Sequence, residues 1–188
     1  MKKENLLQKT KKDKVVHSAK ECAYLAVFVA LVIAVQVILS ILPGIELVTV
    51  LFVSFAFVMG GKRGVIAAIA FSLLRQFIFG IYPKVLVLYL IYYPLLALCF
   101  GGLGKKLKPV KGLIVVVTVA CICTVLFTMI DNFLTPLWLG YSTRAARLYF
   151  LASLPFMIPQ VVCTAISVSL LFLPLYKAFS IIKRGKEE

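Results

Sequence analysis

The chain has 188 residues, 62% of them hydrophobic, and a mean hydropathy of +1.04. This composition indicates an integral membrane protein and excludes a soluble globular domain. A net charge of +14 would also suit a nucleic-acid-binding protein. However, the basic residues cluster at the ends of apolar runs, as membrane-orientation signals do, and no RNA-binding motif accompanies them. We therefore expect membrane lipid as the environment and no nucleic-acid partner.

Six apolar runs predict six membrane-spanning helices, in chain order at residues 22–42, 45–60, 63–80, 85–103, 112–133 and 148–174. The first run is too long for the core of a signal peptide, and no small-residue cleavage site follows it, so we expect a retained span. Pro155 and Pro159 predict a kink or a broken start in the sixth helix.

The distribution of lysine and arginine predicts the orientation. Seven cations lie in the N-terminal tail, two in the second connection, four in the fourth connection and four near the C-terminus, whereas the opposite connections hold three. The positive-inside rule then places both termini in the cytoplasm. The predicted fold is an all-α membrane protein with a bundle of six transmembrane helices at residues 22–176. Residues 1–21 and 177–188 are predicted to be basic cytoplasmic tails.

Within these spans, every charged or amide side chain falls in the predicted outer half: Gln36, Glu46, Arg75, Gln76, Asp131, Asn132 and Gln160. A channel would distribute polar residues along its whole length. Polar residues on one side instead predict a pocket that opens to the outside of the cell.

Arg75 and Asp131 need a physical reason for their position. An intramembrane arginine costs several kcal/mol unless it is paired or faces water. Asp131 lies near the predicted end of the fifth helix, where the helix dipole disfavours an acid, so it needs either a salt bridge to Arg75 or a ligand. Glu46 is explained equally well by a favourable helix dipole or by a function. A structural pair and a ligand contact are compatible, and both stay open from sequence.

Two further patterns lie on single helix faces. Tyr89 and Tyr93 are four residues apart and are placed to stack on a flat ring, although tyrosines also collect at bilayer interfaces. On the first helix, a stripe of alanines forms a smooth face that another helix can approach closely. The stripe consists of Ala19, Ala23, Ala26, Ala30 and Ala34. Packing within the same bundle is the simpler explanation of this stripe.

The sequence lacks the motifs of several common kinds of enzyme. The chain has no phosphate-binding loop of the Gly-x-x-x-x-Gly-Lys-Ser/Thr type, no histidine within the spans and no serine elbow. Its five cysteines lie in apolar runs without ligand spacing, which favours reduced thiols over a metal site. We expect no enzyme, no metal and no cofactor.

The segment Ala26-Val-Phe-Val-Ala30 resembles the Ala-x-x-x-Ala motif of the substrate-binding S components of energy-coupling factor (ECF) vitamin transporters. Ile45-Glu46-Leu47-Val48, followed by Gly60-Gly61-Lys62-Arg63-Gly64, is similar to that family's loop 1–helix 2 region and its basic turn into helix 3. The resemblance implies an outward pocket built largely from helices 4–6 and capped by loop 1. It also implies that Ala26 and Ala30 dock on a shared ECF membrane subunit, with two ATPase subunits supplying the energy.

We therefore predict an uptake subunit in a prokaryotic plasma membrane that captures a vitamin-like small molecule whose identity stays open. The expected ligand-binding residues, including Glu46 in the lid and two stacking tyrosines, are Glu46, Arg75, Tyr89, Tyr93, Asp131, Asn132 and Gln160. One alternative is an autonomous ion-coupled transporter, which would need an acid near the midplane or in the inner half. Others are a lipid-modifying membrane enzyme, which would need a catalytic cluster at the cytoplasmic face, and a membrane-embedded structural or regulatory protein.

Overall fold

The computed structural model describes the backbone of residues 2–41 and 47–187, and the side chains of residues 19–41 and 47–184. Over these residues the chain forms six α-helices and no β-strand, as predicted. The helices are α1 (Lys2–Leu39), α2 (Val48–Met59), α3 (Gly61–Phe79), α4 (Pro83–Lys106), α5 (Leu113–Leu139) and α6 (Thr143–Glu187).

Four of these helices contain segments long and apolar enough to cross a membrane: Ala19–Leu39, Pro83–Lys106, Leu113–Leu139 and Thr143–Arg184. The chain is therefore a multi-pass membrane protein. Helix α3 has 19 residues, and three of them, Lys62, Arg63 and Arg75, are cations. Helix α2 has only 12 residues, about 18 Å of helix, which is shorter than the hydrocarbon core of a bilayer. All of its residues are buried, so neighbouring helices shield it.

Some helix boundaries differ from those predicted. Helix α1 begins at Lys2, within the segment predicted as a polar tail, and α5 continues to Leu139, six residues beyond its predicted end. Helix α6 is continuous through its three prolines, so the predicted broken start is wrong. Its 45 residues correspond to about 68 Å of helix, more than a bilayer requires, so it extends beyond the hydrocarbon core.

The core is formed around α2, which packs between α4 and α6, while α3 packs on α4 and α5 packs on α6. Aromatic rings fill this core. Phe28 of α1 stacks on Phe55 of α2 with ring centroids 3.8 Å apart, and Phe52 contacts Phe71 and Tyr93 at 5.4 and 4.8 Å. Such ring pairs add about 0.5–1.5 kcal/mol each beyond the area that they bury.

Glycines allow α4 to approach the corner between α2 and α3. Gly60, with a φ of +91°, is the only residue that separates these two helices. A Cβ atom at Gly101 would lie 2.1 Å from the backbone N of Gly61, and one at Gly104 would lie 2.1 Å from the backbone O of Phe57. The backbones are thus in direct contact, as small residues permit between membrane helices.

Side-chain contacts identify the two ends of the helix array. At one end, Glu21 of α1 forms an ion pair with Arg63 at the start of α3, and the Nζ of Lys183 donates to the Val58 carbonyl at 3.1 Å. We call this the tail end, because the beginning of the apolar part of α1 and the last turns of α6 lie there. The opposite loop end contains the α3–α4 and α5–α6 connections, residues 80–82 and 140–142.

Candidate functional site

A cavity of about 380 Å³ lies between α5 and α6 in their loop-end halves. Each helix contributes residues spaced by three or four positions, which face the same side of a helix. They combine amides, hydroxyls and one carboxylate with aromatic rings: Phe127, Thr128, Asp131, Asn132, Tyr149, Ala152, Ser153, Phe156, Met157 and Gln160. A concave, mostly apolar site with a few polar groups is typical of small-molecule binding.

Among the described residues, hydrogen bonds join α5 to α6 at three positions spaced by one turn along α5. They connect Thr124 to Thr164 (3.0 Å), Thr128 to Gln160 (3.2 Å) and Asn132 to Ser153 (2.6 Å). We call them the α5–α6 ladder. The threonine pair is buried below the cavity and does not line it, whereas the other two pairs belong to the cavity lining. Four polar side chains of the lining, Thr128, Gln160, Asn132 and Ser153, are therefore paired with one another before a ligand arrives.

Asp131 forms its ion pair with Lys84, not with Arg75 as the sequence suggested. The Nζ of Lys84, in the first turn of α4, donates to Asp131 Oδ1 at 2.8 Å and to Thr135 Oγ1 at 2.7 Å. Both charged side chains are about a quarter exposed, 24% and 26%. Because α5 continues to Leu139, Asp131 is not in the last turn, so the dipole argument for its position does not apply.

Arg75 is held by different partners. Its Nε donates to Gln36 Oε1 of α1 at 3.1 Å, and its guanidinium lies 4.7 Å from the ring centroids of both Phe79 and Tyr89. Cation–π contacts of this kind contribute about 0.5–2 kcal/mol, depending on desolvation. The Nη1 atom is buried without a hydrogen-bond partner among the described residues. Arg75 therefore links α1, α3 and α4, and no carboxylate of the described residues pairs with it.

Tyr89 and Tyr93 lie behind the cavity. Tyr93 is fully buried and packs against Phe52 and Phe71. Tyr89 is 8% exposed, and its ring centroid lies 6.1 Å from that of Phe127, which lines the cavity. In this structure Tyr89 packs against the cavity wall and Tyr93 packs behind it, against Tyr89, and the stacking of both on a ligand stays a prediction.

Three of the predicted residues, Asp131, Asn132 and Gln160, come together in the cavity lining, and Arg75 lies outside it. Glu46 lies outside the described residues. The sequence reasoning missed the remaining lining residues, which carry no charge or amide. A helical repeat from the residues already identified would have found several of them: Thr128 is one turn from Asn132, and Ser153 is two turns from Gln160.

The alanine stripe of α1 does not pack inside the bundle. All five alanines are exposed: Ala19, Ala23, Ala26, Ala30 and Ala34. The buried face of the same helix segment consists of Phe28, Val29, Val32 and Ile33. Packing within this chain therefore does not explain the stripe.

A model of the family "ECF-type riboflavin transporter, S component" matches residues 16–179 of this chain. The chain belongs to this family. It is therefore a component of a vitamin transporter, specifically a substrate-binding subunit, and not an enzyme, which confirms the resemblance seen in the sequence. Searches of curated proteins and of solved structures returned no significant match.

Proposed function

We propose that this S component captures riboflavin in the α5–α6 cavity, for inward transport powered by partner subunits. The family match supports the ligand. The observation that carries the site is the mixed lining of the cavity, in which Asp131, Asn132 and Gln160 lie beside aromatic side chains. Its volume of about 380 Å³ is within the range of small-molecule sites.

The chemistry of riboflavin suits this lining. The molecule joins a flat, aromatic ring system, with carbonyl and N–H groups on one edge, to a polyhydroxylated chain. Phe127 and Tyr149 supply aromatic surface for the ring system, and the amides of Asn132 and Gln160 offer both donors and acceptors. The Asp131 carboxylate is an acceptor for N–H or hydroxyl groups.

All six helices are proposed to cross the prokaryotic plasma membrane at residues 22–176, with the tail end in the cytoplasm and the α5–α6 cavity open to the outside. The positive-inside rule supports this orientation, because residues 1–21, 177–188 and the α4–α5 connection carry most of the cations. The contacts of Arg63 and Lys183 at the tail end agree with it. Helix α2 is short for a span, but its buried position leaves none of its backbone facing lipid.

Transport is proposed to need an ECF membrane subunit and two ATPase subunits. The exposed alanine stripe supports docking of that membrane subunit at Ala26 and Ala30, because small residues let helices approach closely. Glu46 is proposed to belong to a lid over the cavity. Tyr89 is proposed to act on the ligand through the cavity wall at Phe127, and Arg75 only indirectly, through its contact with Tyr89.

Titration of riboflavin fluorescence with the purified chain in detergent, without nucleotide, tests the ligand and the site together. We expect the wild type to bind. Asn132→Leu and Gln160→Leu should each weaken binding by roughly tenfold, the effect of leaving ligand groups unpaired in a desolvated site. Thr124→Val is the matched control, because it removes a hydrogen bond of the same ladder below the cavity and should leave affinity unchanged.

Failure of the wild-type chain to quench riboflavin fluorescence would refute the proposed ligand. Binding that survives both leucine substitutions would refute the proposed site and leave the ligand intact. A requirement for partners is tested by uptake into vesicles: riboflavin accumulation by the lone chain under an ion gradient would favour the autonomous transporter.

A further inference from the structure

A second cavity, of about 580 Å³, lies at the tail end between α2, α4 and α6. It is at the opposite end of the helix array from the α5–α6 cavity, and the two share no lining residue. We call it the tail-end cavity. It is lined by Phe57, Val58, Gly104, Leu107, Tyr176, Lys177, Ser180, Ile181, Lys183 and Arg184.

The tail-end cavity is strongly basic. Lys177, Lys183 and Arg184 line it, and none of its described lining residues is acidic. Lys177, Ser180 and Arg184 are spaced by three and four residues, so one face of α6 presents two cations and a hydroxyl. No ion pair among the described residues occupies Lys177 or Arg184, and both are exposed. An anion with several acceptor oxygens fits these donors.

Lys183 fixes one wall of the cavity. Its Nζ donates to the carbonyl of Val58, in the last turn of α2, at 3.1 Å. A cation at a helix C-terminus is favoured by the helix dipole, so this contact has a structural explanation of its own. Of the two remaining cations, Arg184 lies in the last turn of α6, where the helix dipole also favours it. Lys177 has no such explanation in the described structure.

The other walls of the cavity are apolar. Phe57, Leu107, Tyr176 and Ile181 contribute hydrocarbon and ring surface, and Ile181 is 70% exposed. Cations beside apolar surface, at the end of a membrane helix bundle, match a molecule that carries both an anionic group and hydrocarbon chains. A free phosphate ion would gain no binding free energy from the apolar walls. Basic pockets between membrane helices on the cytoplasmic side bind anionic lipid headgroups in other proteins.

We propose that the tail-end cavity binds the phosphate group of an anionic phospholipid. Lys177 and Arg184 donate to the phosphate oxygens together with the Ser180 hydroxyl, and an acyl chain lies against Phe57 and Ile181. The site rests on the proposed orientation only in that the tail end is the cytoplasmic face. It does not depend on which vitamin the chain carries.

The test uses the full chain in nanodiscs of equal parts phosphatidylglycerol and phosphatidylcholine, followed by native mass spectrometry of the released protein. Wild type should retain phosphatidylglycerol in preference to phosphatidylcholine. Lys177→Ala with Arg184→Ala should lower this retention by about tenfold or more. The matched control is Lys105→Ala with Lys106→Ala, which removes two exposed cations from the end of α4 that do not line the cavity. It should retain the lipid as wild type does.

Three outcomes would overturn the proposal. Equal losses in the two double variants would mean diffuse attraction to the basic face. Displacement of the lipid by a large excess of inorganic phosphate would mean a site for a free anion. Unchanged lipid retention, with loss of assembly with the ECF partner subunits, would mean a protein contact. Size-exclusion profiles and thermal unfolding midpoints of the variants separate each of these from misfolding, since Lys183 and its bond to α2 are kept.

Discussion

The ion pair between Lys84 and Asp131 allows structural and ligand-binding roles to be separated by substitution. Lys84→Met removes the cation and leaves the carboxylate with a single hydrogen bond, which Thr135 donates at 3.1 Å. Removing one partner of a fully buried pair costs about 3–5 kcal/mol, whereas an exposed pair contributes about 0–1 kcal/mol. At about a quarter exposure, we expect Lys84→Met to lower the free energy of unfolding by about 1–3 kcal/mol.

The double change Lys84→Met with Asp131→Leu removes both charges and should recover most of that stability. A double-mutant cycle on the detergent-solubilised chain, with unfolding followed by denaturant titration, measures the coupling. Arg75→Met with Asp131→Leu is the control cycle. Because Arg75 hydrogen-bonds to Gln36 instead, its effect and that of Asp131→Leu should add. Coupling of Asp131 to Arg75 but not to Lys84 would refute the pairing described above.

Riboflavin affinity provides the second measurement on the same variants. Asp131 lines the cavity and Lys84 does not, so Asp131→Leu should weaken binding by roughly tenfold and Lys84→Met should not. The double variant should keep the weak binding of Asp131→Leu even though its stability returns. If the double variant regains both stability and affinity, Asp131 is only a structural partner of Lys84, and the ligand contacts must be sought at Asn132 and Gln160.

Three further predictions use matched substitutions. Ala30→Trp should abolish riboflavin uptake by the assembled transporter while riboflavin binding by the isolated chain survives. Ile114→Trp, on an exposed face of α5, should affect neither uptake nor binding. Loss of riboflavin binding with Ala30→Trp would contradict docking at this residue. Gly104→Ala should destabilise the chain by about 1–3 kcal/mol through the clash with the α2 backbone. Gly102→Ala, with open space around it, should not. Equal thermal unfolding midpoints for the two variants would contradict the close approach of α4 to α2. Arg75→Met should change riboflavin affinity less than about threefold, because Arg75 does not line the cavity; a tenfold loss would restore it as a ligand contact.

Hydropathy and charge were sufficient to predict the fold at the level of helix number and class. Six apolar runs correspond to six helices, because each membrane helix must satisfy its own backbone hydrogen bonds and therefore leaves a continuous apolar signal. The helix ends were less predictable. Helix α5 passes its predicted end at residue 133 because Leu134, Leu137 and Leu139 are good helix formers, and Pro136 is accommodated in the last turn.

The candidate site was predictable only through those residues whose polar side chains are energetically unfavourable in a membrane helix. An amide or a carboxylate in a membrane helix is rare enough to be noticed, so Asp131, Asn132 and Gln160 were found from sequence. The ion-pair partner of Asp131 could not be predicted from sequence, because it depends on how the helices rotate against one another. The sequence analysis used Lys84 only as an orientation signal, yet Lys84 lies in the first turn of α4, within hydrogen-bonding distance of Asp131. Charge type alone gave no reason to prefer it over Arg75.

The α5–α6 ladder determines where binding free energy can come from. A ligand that takes the amides of Asn132 and Gln160 replaces hydrogen bonds that the free protein already makes to Ser153 and Thr128. Each exchange of one bond for another yields much less than a new bond, while a ligand that cannot complete the exchange leaves a polar group unpaired at a cost of about 1–3 kcal/mol. The ladder therefore supports discrimination more than affinity. If riboflavin binds here as proposed, high affinity must come mainly from burying its flat ring against aromatic surface such as Phe127, which packs against Tyr89 and Tyr92 of α4.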